Sequence, residues 1–138
     1  MKKDEELDQE LYKVARAGGT EAPFTGKYWK SRDKGMYKCA ICGNQLFSSD
    51  TKFDSEAPGL RGWPSFDEAI PGSVDFKPDN SHEMRRTEVV CRNCGAHLGH
   101  IFEDEKDSKT GKHYCINSVC LELTKEEQLA KKTNKVTK

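Results

Sequence analysis

Six cysteines carry most of the chemistry available to this chain, and their spacing divides them into two groups. Four fall in two Cys-x-x-Cys-Gly knuckles, Cys39-Ala-Ile-Cys42-Gly43 and Cys91-Arg-Asn-Cys94-Gly95, with 48 residues between them (positions 43–90). Two such pairs supply the four thiolates of a tetrahedral zinc site, each pair gripping one edge. Four sulfurs leave no position open for water, so the site is structural rather than catalytic. Glycine after each second cysteine lets the backbone turn back through a positive φ. The competing reading, two redox dithiols, fits less well, because such a motif normally opens a helix in a βαβ setting. Cys115 and Cys120 stand outside the knuckles. On a strand, His113, Cys115 and Asn117 share one face. A histidine and an amide beside a thiol would lower its pKa and orient a polar substrate atom. His97 and His100 lie upstream, across a turn, and a thiol near imidazoles supports nucleophilic catalysis with imidazolium as proton donor. Taken singly, Cys115 reads as a small buried hydrophobe, and His97 and His100 as satisfied polar residues or stray metal ligands; it is the combination that points to chemistry.

Short β runs must position these groups. Met36–Lys38, Gln45–Phe47, Glu88–Val90, His97–Phe102 and Lys112–Leu123 have strand character and are separated by Gly, Pro, Asn and Asp. Asp107-Ser108-Lys109-Thr110-Gly111 predicts a hairpin turn between the last two, bringing the histidines towards Cys115. Leu7, Leu11 and Val14 recur at helical spacing before Gly18-Gly19, predicting a short amphipathic helix from about Glu5 to Ala17. The segment from Pro58 to Gly72 is rich in proline and glycine and reads as loop, and the tail from Thr124 as a frayed helical turn or two.

At 138 residues the chain predicts one domain with a thin core: 34% of residues are hydrophobic and 33% charged, so a metal staple would help it fold. The 23 Lys+Arg balance the 23 Asp+Glu, which gives no basic field for nucleic acid or anionic lipid. No apolar run nears the roughly 20 residues that span a bilayer, and Met1-Lys2-Lys3-Asp4-Glu5-Glu6 lacks the apolar segment of a secretion signal. The expected location is therefore the reducing cytoplasm, where paired cysteines serve as metal ligands.

Taken together, Gly19-Thr20-Glu21-Ala22-Pro23-Phe24-Thr25-Gly26, Lys52-Phe53-Asp54-Ser55, Gly62-Trp63-Pro64-Ser65-Phe66, His97-Leu98-Gly99-His100-Ile101-Phe102 and Tyr114-Cys115-Ile116-Asn117-Ser118 resemble the methionine sulfoxide reductases of type B. The likeness spans about residues 19–123, and the two Cys-x-x-Cys pairs match that family's structural zinc site. It implies a mainly β fold of two twisted antiparallel sheets, with zinc (one ion, on Cys39, Cys42, Cys91 and Cys94) distal to the active site. The implied organisation is an N-terminal helical segment (1–18), a reductase domain (19–124) and a charged tail (125–138) in a monomer. The implied reaction reduces the R epimer of methionine sulfoxide, free or in proteins, to methionine. Cys115 would be the nucleophile, passing through a sulfenic acid, and His97, His100 and Asn117 would position the sulfoxide oxygen. Trp63 would pack against the substrate methyl group, with His113 and Phe102 also binding substrate. An indole face supplies the apolar, polarizable wall that a methyl group needs.

Three departures from the family matter. His113 stands where arginine is common, two residues before the nucleophile, which predicts a steeper loss of activity above neutrality than in arginine-bearing relatives. The stretch Ser55–Gly62 is longer than usual and lacks the recycling cysteine that many relatives carry there. Cys120 occupies a place usually held by serine. If residues 115–120 formed one strand, the two sulfurs would be roughly 16 Å apart on opposite faces, too far for a disulfide. An external thiol, thioredoxin, glutaredoxin or glutathione, is therefore the expected reductant. Two other functions compete. A zinc-ribbon-like binding module explains the knuckles but not the rest, and an acyl-transfer enzyme built on Cys115 lacks a nucleophile elbow and an oxyanion hole.

Overall fold

The computed structural model describes residues 1–55, 60–81, 84–103 and 108–125. One helix and nine strands form two antiparallel sheets among the described residues. Strand β1 (Gly35–Cys39) lies between β2 (Gln45–Ser48) and β9 (Leu121–Lys125) in a three-stranded sheet. The six-stranded sheet has the order β3 (Lys52–Phe53), β4 (Ser65–Phe66), β8 (His113–Ile116), β7 (His97–Phe102), β6 (Arg86–Cys91) and β5 (Val74–Asp79).

The two sheets meet through aromatic side chains. Phe47 stacks on Phe66 at 4.4 Å between centroids and meets Tyr114 edge-on at 5.5 Å, while Tyr37 meets Phe66 at 5.1 Å. Tyr37, Phe47 and Phe66 are fully buried, together with Leu46, Leu98, Val89 and Ile116. Few aliphatic residues are available, so large rings fill the space that a leaner composition would leave open.

Helix α1 (Gln9–Ala15) is shorter than the expected Glu5–Ala17, and Asp4–Glu6 forms a separate 3-10 turn. Asp8 is the reason: its carboxylate accepts from the Leu11 N–H at 2.9 Å, which makes it the N-cap and fixes where the helix begins. The helix buries Leu11, Val14 and Ala15 in the common core.

The expected single strand Lys112–Leu123 is broken. After β8 comes Asn117, then a 3-10 turn over Ser118–Cys120, then β9 in the other sheet. Side-chain bonds outcompete the ladder here. The Ser118 hydroxyl accepts from Tyr28 N–H at 3.1 Å, and the Glu21 carboxylate accepts from Val119 N–H at 2.9 Å. The separation estimated for Cys115 and Cys120 from an extended strand therefore does not apply. Strands β3 and β4 are two residues long, too short for any periodicity, and β5 contains Pro78, which an edge strand tolerates because its outer N–H has no partner strand. The hairpin between β7 and β8 forms as expected, with Gly111 at φ +80° closing the part of its turn that is described, and Asp107 lies outside the described residues. The expected helical turns of the tail also lie largely outside them.

Candidate active site

Each knuckle closes in the same way. Gly43 N–H donates to Cys39 O at 2.9 Å and Gly95 N–H to Cys91 O at 2.8 Å, with φ of +79° and +75° at the two glycines. One knuckle joins β1 to β2 and the other joins β6 to β7, so the four sulfurs bridge the two sheets. All four ligand atoms lie within 4.8 Å of one another, with Cys39 and Cys94 Sγ 3.7 Å apart and Cys42 and Cys91 Sγ 3.6 Å apart. Four sulfurs at about 2.3 Å from a central ion would be separated by about 3.8 Å, so the set is compatible with a tetrahedral metal site. Contact with Cys39 pulls the Cys91 thiol down and pushes Cys39 up, as expected where thiols crowd together and share protons. Arg16, at the C-terminal cap of α1, braces the second knuckle, donating to Cys94 O at 2.8 Å.

Cys115 stands away from this cluster. Strand register sets Ser65, Cys115, His100, Glu88 and Lys77 side by side across five strands, and residues directly opposite one another share a face of the sheet. Gly99 makes the approach of β7 to β8 possible, since a Cβ there would lie 2.0 Å from Cys115 O. His97 and His100 are three residues apart, an odd offset that would normally put them on opposite faces. A bulge where β7 runs opposite Val89 and Val90 absorbs the extra residue. The two rings consequently meet edge-on, 5.4 Å apart.

A cleft of about 100 Å³ is lined by Cys115, His100, Asn117, Trp63 and Phe102, with Arg86 also on its wall. The main chain of Glu21 orients two of these groups. Its carbonyl accepts from the Trp63 indole N–H at 3.0 Å, and its N–H donates to Asn117 Oδ1 at 3.0 Å. Asn117 Nδ2 donates to Leu98 O at 2.9 Å, which fixes the amide and leaves its second N–H for a bound molecule. Sequence patterns gave no hint of this role for Glu21, because its partners lie 42 and 96 positions away.

Both imidazoles are held by carboxylates that the motifs did not point to. His97 Nδ1 lies 2.6 Å from Glu88, and His100 Nε2 lies 2.7 Å from Asp79. Asp79 is itself ionised: the Ser81 hydroxyl, then the His100 bond, hold its carboxyl far below the usual range. An ionised carboxylate can only accept, so in the Asp79 pair the His100 nitrogen is the donor. His97 Nε2 and Arg86 Nε are buried and have no partner among the described residues.

The site departs from expectation in three respects. His113 does not line the cleft beside Cys115. Its ring is fully buried between Phe53 and Phe102, and Nε2 lies 2.7 Å from the Ser65 hydroxyl. The argument that His113 would steepen the alkaline loss of activity loses its basis. Nor is the resting thiol activated: burial, with a smaller contribution from the Glu21 charge, pushes Cys115 up to about 12. His97 is 6% exposed and sits behind His100 rather than on the cleft wall. Cys120 is 1% exposed and its thiol lies 3.3 Å from His97 O, in the core and off the cleft.

No described helix is long and apolar enough to cross a membrane. Residues 7–125 match the family model described as the SelR domain. The chain is similar to a protein of Methanosarcina mazei named peptide methionine sulfoxide reductase MsrB, with 52% identity over 91% of this chain and 86% of that protein. Proteins of the same name from Leptospira interrogans and Acinetobacter baumannii are 51% and 49% identical, over 88% and 89% of this chain and 89% and 86% of their own lengths. A match of this extent and depth, running through both knuckles and the whole cleft, shows that the chain belongs to the MsrB family.

Proposed function

We propose that this protein reduces the R epimer of methionine sulfoxide, free or in oxidised proteins, to methionine. The observation that carries the reading is the convergence of Cys115, His100, Asn117 and Trp63 on one small cleft, together with membership of a family whose members are named peptide methionine sulfoxide reductase. The Cys115 sulfur attacks the sulfoxide sulfur, the S–O bond breaks, and the oxygen passes to cysteine, so that a thiol and a sulfoxide become a sulfenic acid and a thioether. A sulfoxide oxygen leaves only when protonated, and His100 supplies the proton while Asn117 Nδ2–H holds the oxygen. His97 supports His100 from behind, and the Trp63 face, with Phe102, receives the methyl group.

With the thiol held near 12, it loses its proton as the sulfoxide arrives and the neutral imidazole beside it accepts that proton. Acid and nucleophile are generated together rather than stored. Two equivalents of an external thiol then return the sulfenic acid to Cys115, the first expelling water to give a mixed disulfide and the second releasing a disulfide. Burial of Cys120 against His97 O favours this external route over an internal one. Thioredoxin, glutaredoxin or glutathione in a reducing cytoplasm would serve. Zinc suits the four-sulfur set, held by Cys39, Cys42, Cys91 and Cys94, and would clamp the two sheets without touching the reaction.

Turnover of each epimer with dithiothreitol tests the reading. The expected result is reduction of the R epimer alone, lost in Cys115→Ser with metal content retained. Equal turnover of both epimers would remove the stereochemical claim, and turnover of neither would remove the reductase reading.

A further inference from the structure

We propose that Asp79 and Arg86 are positioning residues for His100: the carboxylate fixes which ring nitrogen can exchange a proton with a bound molecule, and the guanidinium tempers the carboxylate's pull. Asp79 and Arg86 face each other in register on β5 and β6, Arg86 on the strand next to the one that carries His100 and Asp79 on the strand beyond it. Asp79 Oδ2 lies 2.7 Å from His100 Nε2 and 3.4 Å from Arg86 Nη2, so a single oxygen serves both. Because that oxygen only accepts, His100 Nε2 carries a hydrogen permanently committed to Asp79, and Nδ1 is the atom left to give or take a proton.

The surroundings explain why such a device is needed. Burial lowers the proton affinity of His100, and the neighbouring charges of Arg86 and of His97 act in the same direction. Asp79 alone opposes them, through its hydrogen bond and its charge. The titratable and charged groups that face His100 are Asp79 on β5, Arg86 and Glu88 on β6, Cys115 on β8 and His97 on its own strand, with Glu21 behind Cys115. Glu88 is already taken by His97. A group that takes the thiol proton and passes it to the sulfoxide oxygen must bind that proton firmly enough to accept it and loosely enough to release it in the transition state. Asp79 provides the first property and Arg86 the second.

The inference rests on the reductase reading only for its kinetic consequence, so one readout must be independent of turnover. NMR titration of ¹⁵N-labelled histidine in the metal-loaded protein reports the His100 midpoint and tautomer directly. Asp79→Asn is expected to lower that midpoint and scramble the tautomer, while Arg86→Gln raises the midpoint and Arg86→Lys restores it. In kinetics, Asp79→Asn lowers kcat at least about tenfold, less than the roughly 10²–10⁴-fold that losing the acid itself would cost, with the acid limb of the pH profile moved down. Arg86→Gln moves that limb up. Midpoints and limbs that stay put, or that move the same way in both variants, overturn the proposal. Should Asp79→Asn fail to fold, the raised midpoint in Arg86→Gln and its return to the parent value in Arg86→Lys decide it alone. A chain that shows the stated NMR shifts but no sulfoxide turnover upholds the positioning role and sinks the reductase reading instead.

Discussion

At the metal cluster, four sulfurs lie within 4.8 Å of one another and each pair is held by a single turn of backbone. At the cleft, one sulfur is brought to its partners by the N-terminal arm, the loop before β4, and strands β7 and β8. The first arrangement is specified by neighbours in sequence and is compatible with a metal ion at its centre. The second is specified by register between distant strands and completed by hydrogen bonds to main-chain atoms. Crowding divides the protons unequally within the cluster, down at Cys91 and up at Cys39, whereas burial makes the lone thiol keep its proton. One residue type thus forms a crowded four-sulfur cluster in one place and a lone protonated thiol in a cleft in the other.

The comparison breaks first if the cluster can be dismantled cheaply. Replacing one ligand, as in Cys91→Ser, should abolish cooperative unfolding, because structural zinc contributes about 10–16 kcal/mol of apparent folding free energy against a total of about 5–15 kcal/mol for a domain. Metal analysis beside a thermal melt checks this, and a metal-free variant that melts like the parent refutes it. Cys115→Ser should do the reverse, cutting turnover by at least on the order of 10³-fold with melting and metal content unchanged. Gly99→Ala tests the register that joins the two regions. Its Cβ would lie 2.0 Å from Cys115 O, so overpacking should cost about 3 kcal/mol in chemical denaturation and reduce turnover as well. The smallest effect concerns the thiol proton. A folded-state pKa of about 12 against an ordinary 9.0 means that the neutral thiol's contribution to stability is complete below pH 9 and drains as pH rises from 9 towards 12. The parent and Cys115→Ser should melt alike below pH 9, and the parent should fall progressively below the variant as pH rises above it. A flat difference throughout would mean that the thiol is not held protonated.

The same contrast governs what the residues alone disclosed. The knuckles were legible because a glycine at the turn and a fixed two-residue gap determine their geometry locally. Cys115, His100, Asn117 and Trp63 were legible as a set through the family likeness, and the β7–β8 hairpin could be foreseen from its turn residues. The juxtaposition of His97 with His100 could not be foreseen, since a bulge depends on how many residues the partner strand offers. Nor could the carboxylate partners, which arrive from β5 and β6 by register, or the inward burial of His113, which simple alternation assigns to the same row as Cys115. The break at Asn117 escaped notice because it depends on Glu21 and on Tyr28, 90 positions before Ser118.

The way Glu21 grips the indole and the amide has a consequence for genetics. Both bonds use peptide atoms, so exchanging the side chain at position 21 removes its hold on Val119 but neither of these bonds directly, and a scan of single substitutions would under-report what the segment contributes. Clipping the chain after residue 21 is a different injury: it detaches the rear support of two binding groups while sparing every residue that a catalytic survey would think to mutate.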